Sequence, residues 1–212
     1  GLRHNFKASW LYNASDIHNK DITGNNHIGS VMDYDPINIA PEGVEQGNYF
    51  PTEPGPYDIW AITFGYTQDM KDADRENLLS QSTKPELIFG TDDDAMGSPG
   101  SNTDPRNKRY DMSSDPITYT VQRLQIIDNK INELPEIFNE PGSTYTELKA
   151  TFDSLLRDKG RFAESIAIQI GGVYSNRLVV GQESGMTPFE VVPYTEQKRA
   201  MNALNDYLFA ND

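Results

Sequence analysis

The sequence predicts a mainly α fold with long irregular loops and a small β-hairpin. Glycine, proline, asparagine and aspartate crowd residues 13–57, and punctuation this dense breaks up long helices and strands. Residues 177–180 and 189–192 alternate in polarity on either side of two glycines, which is typical of a hairpin. Apolar residues recur at spacings of three and four, as on one face of a helix, in three segments: 116–134, 143–170 and 195–208.

Shorter elements are expected between the loop-rich and the helical parts. Residues 58–66 are apolar at most positions, which indicates burial on more than one side. Periodicity alone does not separate helix from strand here, and we favour a short buried helix. Residues 71–82 fit an exposed helix, and residues 86–89 fit a short strand. These elements would connect the two parts of the chain.

Capping signals mark the starts of the first two long helices. Asp115 followed by Pro116 fits an N-cap and a first helical residue. Ser143 or Thr144 can cap the second helix, and Glu147 stands three residues after Thr144, as in a capping box.

Thr195 is the expected cap of the last helix. Gly160 either breaks the second helix in two or is tolerated within it. Two helices alone cannot bury three apolar stripes, so we expect a small helical bundle packed on the loop-rich half.

Composition excludes several classes of function. The 212 residues carry a formal net charge of -14, which argues against nucleic acid and anionic membranes, because both are bound by clustered lysine and arginine. The same charge permits cationic or neutral partners and divalent metal ions. Cysteine is absent, so neither a disulfide nor a thiolate zinc site nor a cysteine nucleophile is possible. No apolar run approaches the roughly 18 residues of a membrane span.

Two short segments carry the residues that indicate chemistry. The chain opens Gly1-Leu2-Arg3-His4, and residues 30–34 read Ser-Val-Met-Asp-Tyr. Together they resemble the trailing half of H-E-x-x-H-x-x-G-x-x-H and the Met-turn of the metzincin metalloproteases. With their flanks, GLRHNFKAS, GSVMDYDPINIAPEG and YDIWAITFGYT, they make the whole chain resemble the bacterial zinc-dependent proteases of the Met-zincin family.

The resemblance implies roles for three side chains. His4 would be the third histidine ligand of a catalytic zinc ion. Met32 would lie in the Met-turn, where its side chain supports the histidine rings from below without binding the metal. Tyr34 matches the tyrosine that in some metzincins moves between zinc and the oxyanion, so it is the candidate catalytic residue.

The resemblance also implies a division of the chain. Residues 1–57 would be the C-terminal subdomain of a metzincin, with the third zinc histidine and the Met-turn. Residues 58–212 would be a mainly helical extension packed on it, in the form of an added helical bundle.

The implied function of the whole protein is hydrolysis of peptide bonds, in peptides or proteins, by a zinc-activated water. No H-E-x-x-H occurs in the 212 residues, so we expect the isolated chain to be inactive and to need the upstream remainder of its catalytic domain. A periplasmic, secreted or envelope-associated protein is expected. The alternative is a non-catalytic binding or scaffold domain of an envelope protein.

Two other sets of residues invite metal hypotheses. His18 and His27 could join His4 in a three-histidine site, although loop histidines are the simpler interpretation. Calcium is possible at a group of aspartates with irregular spacing that does not match an EF-hand, against the simpler alternative of a solvated loop: Asp92, Asp93, Asp94, Asp104 and Asp111.

Overall fold

The computed structural model describes residues 1–95, 103–182 and 184–210. Its first 55 residues are mostly loop, as predicted, with a 3-10 helix at Ala8–Leu11 and helix α1 at Lys20–Thr23. The connecting part follows in this order: α2 (Pro56–Tyr66), α3 (Asp72–Ser80), 3-10 helices at Gln81–Thr83 and Pro85–Leu87, and α4 (Asp92–Ala95).

Three longer helices form the C-terminal bundle. They are α5 (Pro116–Ile137), α6 (Tyr145–Ala167) and α7 (Tyr194–Leu204), and α7 continues as a π-helix over Asn205–Phe209. Their apolar stripes meet in one buried core, which confirms the predicted bundle: Ile117, Leu124, Ile166, Ala200, Ala203 and Leu204.

The capping signals of the first two bundle helices are confirmed. The Asp115 carboxylate accepts the N–H of Thr118 at 3.1 Å. Thr144 and Glu147 form a capping box, with the Glu147 N–H donating to Thr144 Oγ1 at 3.2 Å and the Thr144 N–H donating back to the Glu147 carboxylate at 3.2 Å. Gly160 lies inside α6, so the helix is continuous.

The hairpin is confirmed, but its first strand was predicted too late in the chain. Strand β1 is Val173–Ser175 and β2 is Phe189–Val191, antiparallel, with Val173 opposite Val191. Residues 177–180 lie outside the strand. The strand forms earlier because its backbone is held from the side: the N–H of Val173 donates to Thr103 O and that of Ser175 to the Asp104 carboxylate, both at 2.8 Å.

Three local predictions are wrong. Residues 86–89 do not form a strand, because a 3-10 helix begins at Pro85, whose fixed φ suits a helical first residue. Thr195 does not cap α7, which starts one residue earlier. Residues 58–66 are helical as expected but not buried on several sides, because Asp58 is the one buried residue of α2, while Ile59 and Tyr66 are 60% and 78% exposed.

A second core joins the loop-rich half to the bundle. Tyr119 of α5 lies in it and meets the Phe162 ring of α6 edge-on at 6.4 Å. The buried members from the loops and from α5 are Ala14, Ile17, Ile28, Met112 and Tyr119. Among the described residues, no helix combines the length and the apolar character needed to cross a membrane.

Candidate functional site

The opening segment lies directly against the turn at residues 30–34. The backbone N–H of Asn5 donates to Met32 O at 3.1 Å. Asn5 is fully buried, and its side-chain oxygen accepts the N–H of Gly90 at 3.1 Å. The structure therefore brings the segments that carry His4, Met32 and Tyr34 to one place.

Two aromatic rings pack against the imidazole of His4. Its centroid lies 4.7 Å from that of Tyr34 and 5.1 Å from that of Phe6. The Tyr34 ring in turn stacks on Tyr110 at 6.3 Å, and the Tyr110 N–H donates to Tyr34 O at 2.9 Å. The Tyr34 side chain is exposed, so this row of rings is reached from solvent.

The turn itself is held by the buried carboxylate of Asp58, in the first turn of α2. Ser30 Oγ donates to Asp58 Oδ1 at 2.5 Å, while the N–H groups of Val31 and Gly55 donate to Oδ2 at 2.8 and 2.9 Å. Ser30 Oγ also accepts the N–H of Met32 at 3.0 Å. One side chain thus fixes the Met32 turn relative to α2.

Close approach of two backbones allows this arrangement. A Cβ on Gly55 would lie 2.0 Å from Gly29 O, so only glycine fits at the start of α2. The N–H of Tyr57 donates to the same Gly29 oxygen at 3.1 Å.

Two buried carboxyl groups lie beside the turn and share a partner, Ser9. The Ser9 N–H donates to Asp33 Oδ2 at 2.9 Å, and Ser9 Oγ donates to Asp111 Oδ1 at 3.2 Å. Burial raises the pKa of Asp33 well above its usual 3.8, and the charge of Asp111 raises it further. Burial also raises the pKa of Asp111 to about 8. The pair therefore retains a proton at neutral pH.

His4 has a carboxylate partner from the first turn of α4. Its Nδ1 lies 2.9 Å from Asp92 Oδ2. The hydrogen bond with His4 holds the pKa of Asp92 below its usual value, so this carboxylate is ionised and accepts a proton carried on Nδ1. With Nδ1 engaged, Nε2 is the ring nitrogen that offers a lone pair to a ligand.

The other predicted calcium candidates are also engaged. Asp111 bonds Ser9, and the remaining three carboxylates form ion pairs between 2.6 and 2.8 Å. These partners are cationic and different for each, so the structure does not gather the five aspartates around a cation: Arg3 for Asp93, Arg177 for Asp94, and Lys7 with Arg106 for Asp104.

The other two histidines have different surroundings from those of His4. His27 is fully buried, and its Nε2 lies 3.5 Å from an Asp35 carboxylate oxygen. His18 Nδ1 accepts the N–H of Gly47 at 3.4 Å, and burial lowers the pKa of His18 to about 4. Among the described residues, no three histidine, aspartate or glutamate side chains are placed to hold one metal ion. The three-histidine site is therefore not formed.

Comparison with known proteins identifies the family of this chain. The model of the Met-zincin family matches residues 1–212, the entire sequence. This chain belongs to the Met-zincin family. No curated protein and no solved structure matches it. Membership relates this Met-zincin chain to the metallopeptidases.

Sequence reasoning missed the residues that support the site. Asp58 had a local signal, because it stands third in a helix that begins at Pro56. Asp92 had none, since 88 positions separate it from His4 and its partner is fixed by tertiary contacts alone. The pairing of Asp33 with Asp111 was hidden for the same reason.

Asp58→Asn is expected to lower the free energy of unfolding by roughly 1–3 kcal/mol, because an amide offers one accepting oxygen and turns an NH2 group toward N–H donors. Urea denaturation followed by circular dichroism measures the change. The control is Asp72→Asn, which removes the same charge from a carboxylate that is 92% exposed. Equal unfolding midpoints for Asp58→Asn and wild type would contradict the assigned role.

Asp111→Asn is expected to flatten the pH dependence of stability. The folded-state pKa of about 8 exceeds the usual 3.8, so between these values the folded state keeps a proton that the unfolded chain releases. The wild type therefore loses stability as pH rises from about 4 to about 8. Thermal unfolding across this range tests it, and identical pH profiles for both proteins would show that Asp111 is not protonated.

Proposed function

We propose that this chain supplies the third zinc ligand, His4, of a metallopeptidase catalytic centre that hydrolyses peptide bonds. The observation that carries the proposal is the His4–Asp92 contact of 2.9 Å, which engages Nδ1 and leaves Nε2 for a metal. Zinc-binding histidines in proteins commonly donate their other ring N–H to a carboxylate in this way. The donor therefore fits a zinc ion, and the H-E-x-x-H residues would come from outside these 212 positions.

A zinc ion held by His4 and the H-E-x-x-H residues would supply Lewis acidity toward the scissile carbonyl and toward water. The residues of this chain would bind the metal, hold its ligand in position and stabilise the substrate. His4 Nε2 would donate a lone pair to the metal, and its ring packs against the rings of Phe6 and Tyr34. Met32 lies in the turn that Asp58 fixes, and the Tyr34 hydroxyl would donate a hydrogen bond to the oxyanion of the substrate.

The exposed face of α2 supports a partner within the same protein. Ile59, Phe64 and Tyr66 are exposed although apolar or aromatic, and the Tyr66 hydroxyl lies 3.8 Å from a Cβ built on Gly1. Exposed apolar area of this kind favours burial against another surface. We assign the partner surface that covers this face of α2 to the remainder of the catalytic domain. The substrates are peptides or proteins, and the site of action is the periplasm, the envelope or the exterior.

The test uses the protein with the residues that precede Gly1. His4→Ala is expected to lose bound zinc, measured by atomic emission, and to reduce peptide cleavage at least ~100-fold, because three protein ligands are needed to hold a catalytic zinc. His18→Gln is the control, since the hydrogen-bond partner of His18 is Gly47, which is not part of the candidate site. Full zinc content and activity in His4→Ala would refute the proposal.

Asp92 is expected to set zinc affinity through the His4 ring. Asp92→Ala should raise the zinc Kd roughly 10- to 100-fold, measured by competition with a chromophoric chelator. Asp93→Ala is a matched control, because it removes the same charge one residue away from a carboxylate that pairs with Arg3. Equal losses in both variants would indicate a general charge effect and argue against orientation of His4.

A further inference from the structure

A basic cleft of about 580 Å³ lies between residues 107–110 and helix α6. Four cationic side chains line it, together with one carboxylate, that of Glu164. The whole chain has 18 lysines and arginines against 32 acidic residues, so this lining reverses the overall sign of charge. The cations are Lys108, Arg109, Arg157 and Arg161.

Helix α6 presents one face to this basic cleft. Arg157, Gly160, Arg161 and Glu164 follow the spacing of neighbours on a helix surface. A Cβ on Gly160 would meet nothing within 4 Å, so the absent side chain leaves open space between the two arginines. Glycine inside a helix costs about 0.5–1 kcal/mol relative to alanine, and no crowding requires it here.

The cations of the basic cleft differ in their pairing. Lys108 bonds Glu164 at 2.8 Å. Arg161 pairs with Asp158 at 3.4 Å, and its guanidinium lies 4.9 Å from the centre of the Tyr110 ring. Arg109 and Arg157 form no ion pair with any of the residues that the structure describes. Two guanidinium groups are therefore available to an anionic ligand.

The basic cleft is joined to the candidate catalytic site by stacked rings. Tyr110 lines the cleft, stacks on Tyr34 at 6.3 Å, and Tyr34 lies 4.7 Å from the His4 ring. Tyr110 has a φ of 64°, a left-handed conformation that costs energy for a residue with a side chain. Its N–H donates to Tyr34 O, which ties this turn to the Met32 turn.

We propose that the basic cleft binds carboxylate groups of the peptide substrate, so that the protein selects acidic peptides. Guanidinium groups bind carboxylates through two parallel hydrogen bonds, and no described residue occupies Arg109 or Arg157 as an ion-pair partner. An acidic ligand is repelled by most of a chain of net charge -14, which makes this local cationic surface the favourable docking position. The link to cleavage rests on the proposed function, whereas the binding does not.

Binding is tested first, in the presence of a metal chelator. Three fluorescent peptides are compared by anisotropy: one with internal Asp and Glu and an amidated end, its Asn and Gln counterpart, and the counterpart with a free C-terminal carboxylate. The wild type is expected to bind a carboxylate-bearing peptide roughly tenfold more tightly than the amidated neutral one. The preference should fall with added salt. The first and third peptides distinguish side-chain from terminal carboxylates.

Variants locate the binding. Arg109→Gln with Arg157→Gln should abolish the preference, and Gly160→Leu should block the basic cleft while improving helix propensity, so that a folding defect is not expected. The matched control is Arg75→Gln with Lys130→Gln, which removes two positive charges from exposed pairs elsewhere. Equal affinities for all three peptides in the wild type, or a preference kept by the Arg109 and Arg157 variant, would overturn the proposal.

Cleavage separates the two proposals. In the protein that also contains the H-E-x-x-H residues, with zinc bound, kcat/KM should favour the acidic peptide, and the Arg109 and Arg157 variant should lose this preference through KM. Peptidase activity without acid preference overturns the assignment of the basic cleft alone. Acid-selective binding in a protein that cleaves no peptide overturns the peptidase function and leaves the binding assignment standing.

Discussion

The carboxylate of Asp58 is the contact on which the site depends. Buried backbone N–H groups need acceptors, and the first 55 residues contain only two short helical segments to supply them. Side chains provide acceptors instead, since Asp58 accepts from Val31 and Gly55, and Asp33 accepts from Ser9. In a segment without regular structure, these bonds determine where Met32 lies relative to α2 and so where the ring of His4 can rest.

The helical half could be predicted because its signals are local. The caps at Asp115 and Thr144 involve partners three residues away, and the apolar stripes repeat at the helical period. The exposure of α2 was not predictable from its composition, because the apolar residues of 58–66 do not indicate which surface, if any, covers them. The first strand of the hairpin was misplaced for a related reason: its position is set by Thr103 and Asp104, about 70 residues upstream.

The candidate site also contains residues that local sequence signals identify and residues that only tertiary contacts identify. His4, Met32 and Tyr34 stand in short motifs with fixed order, so family resemblance reaches them, and the structure places their segments together. Their roles remain proposals that the variants address. Asp92 and Asp111 belong to no motif. Only the tertiary structure brings them to their partners, His4 and Ser9. The five aspartates that suggested calcium in the sequence are spread over separate partners in space.

The distribution of charge differs between the surroundings of His4 and the basic cleft, although the chain as a whole is acidic. Near His4, three consecutive aspartates of α4 each have a partner: the His4 imidazole for Asp92, Arg3 for Asp93 and Arg177 for Asp94. These contacts neutralise the carboxylates and orient the partner side chains. At the other end of the ring row, beyond Tyr110, the balance is reversed by Arg109 and Arg157. A carboxylate placed at the basic cleft would meet the guanidinium groups of Arg109 and Arg157, which form no ion pair with any described residue. Attraction at the cleft end would therefore hold the acidic part of a peptide there and give the bound peptide a defined direction along the row of rings.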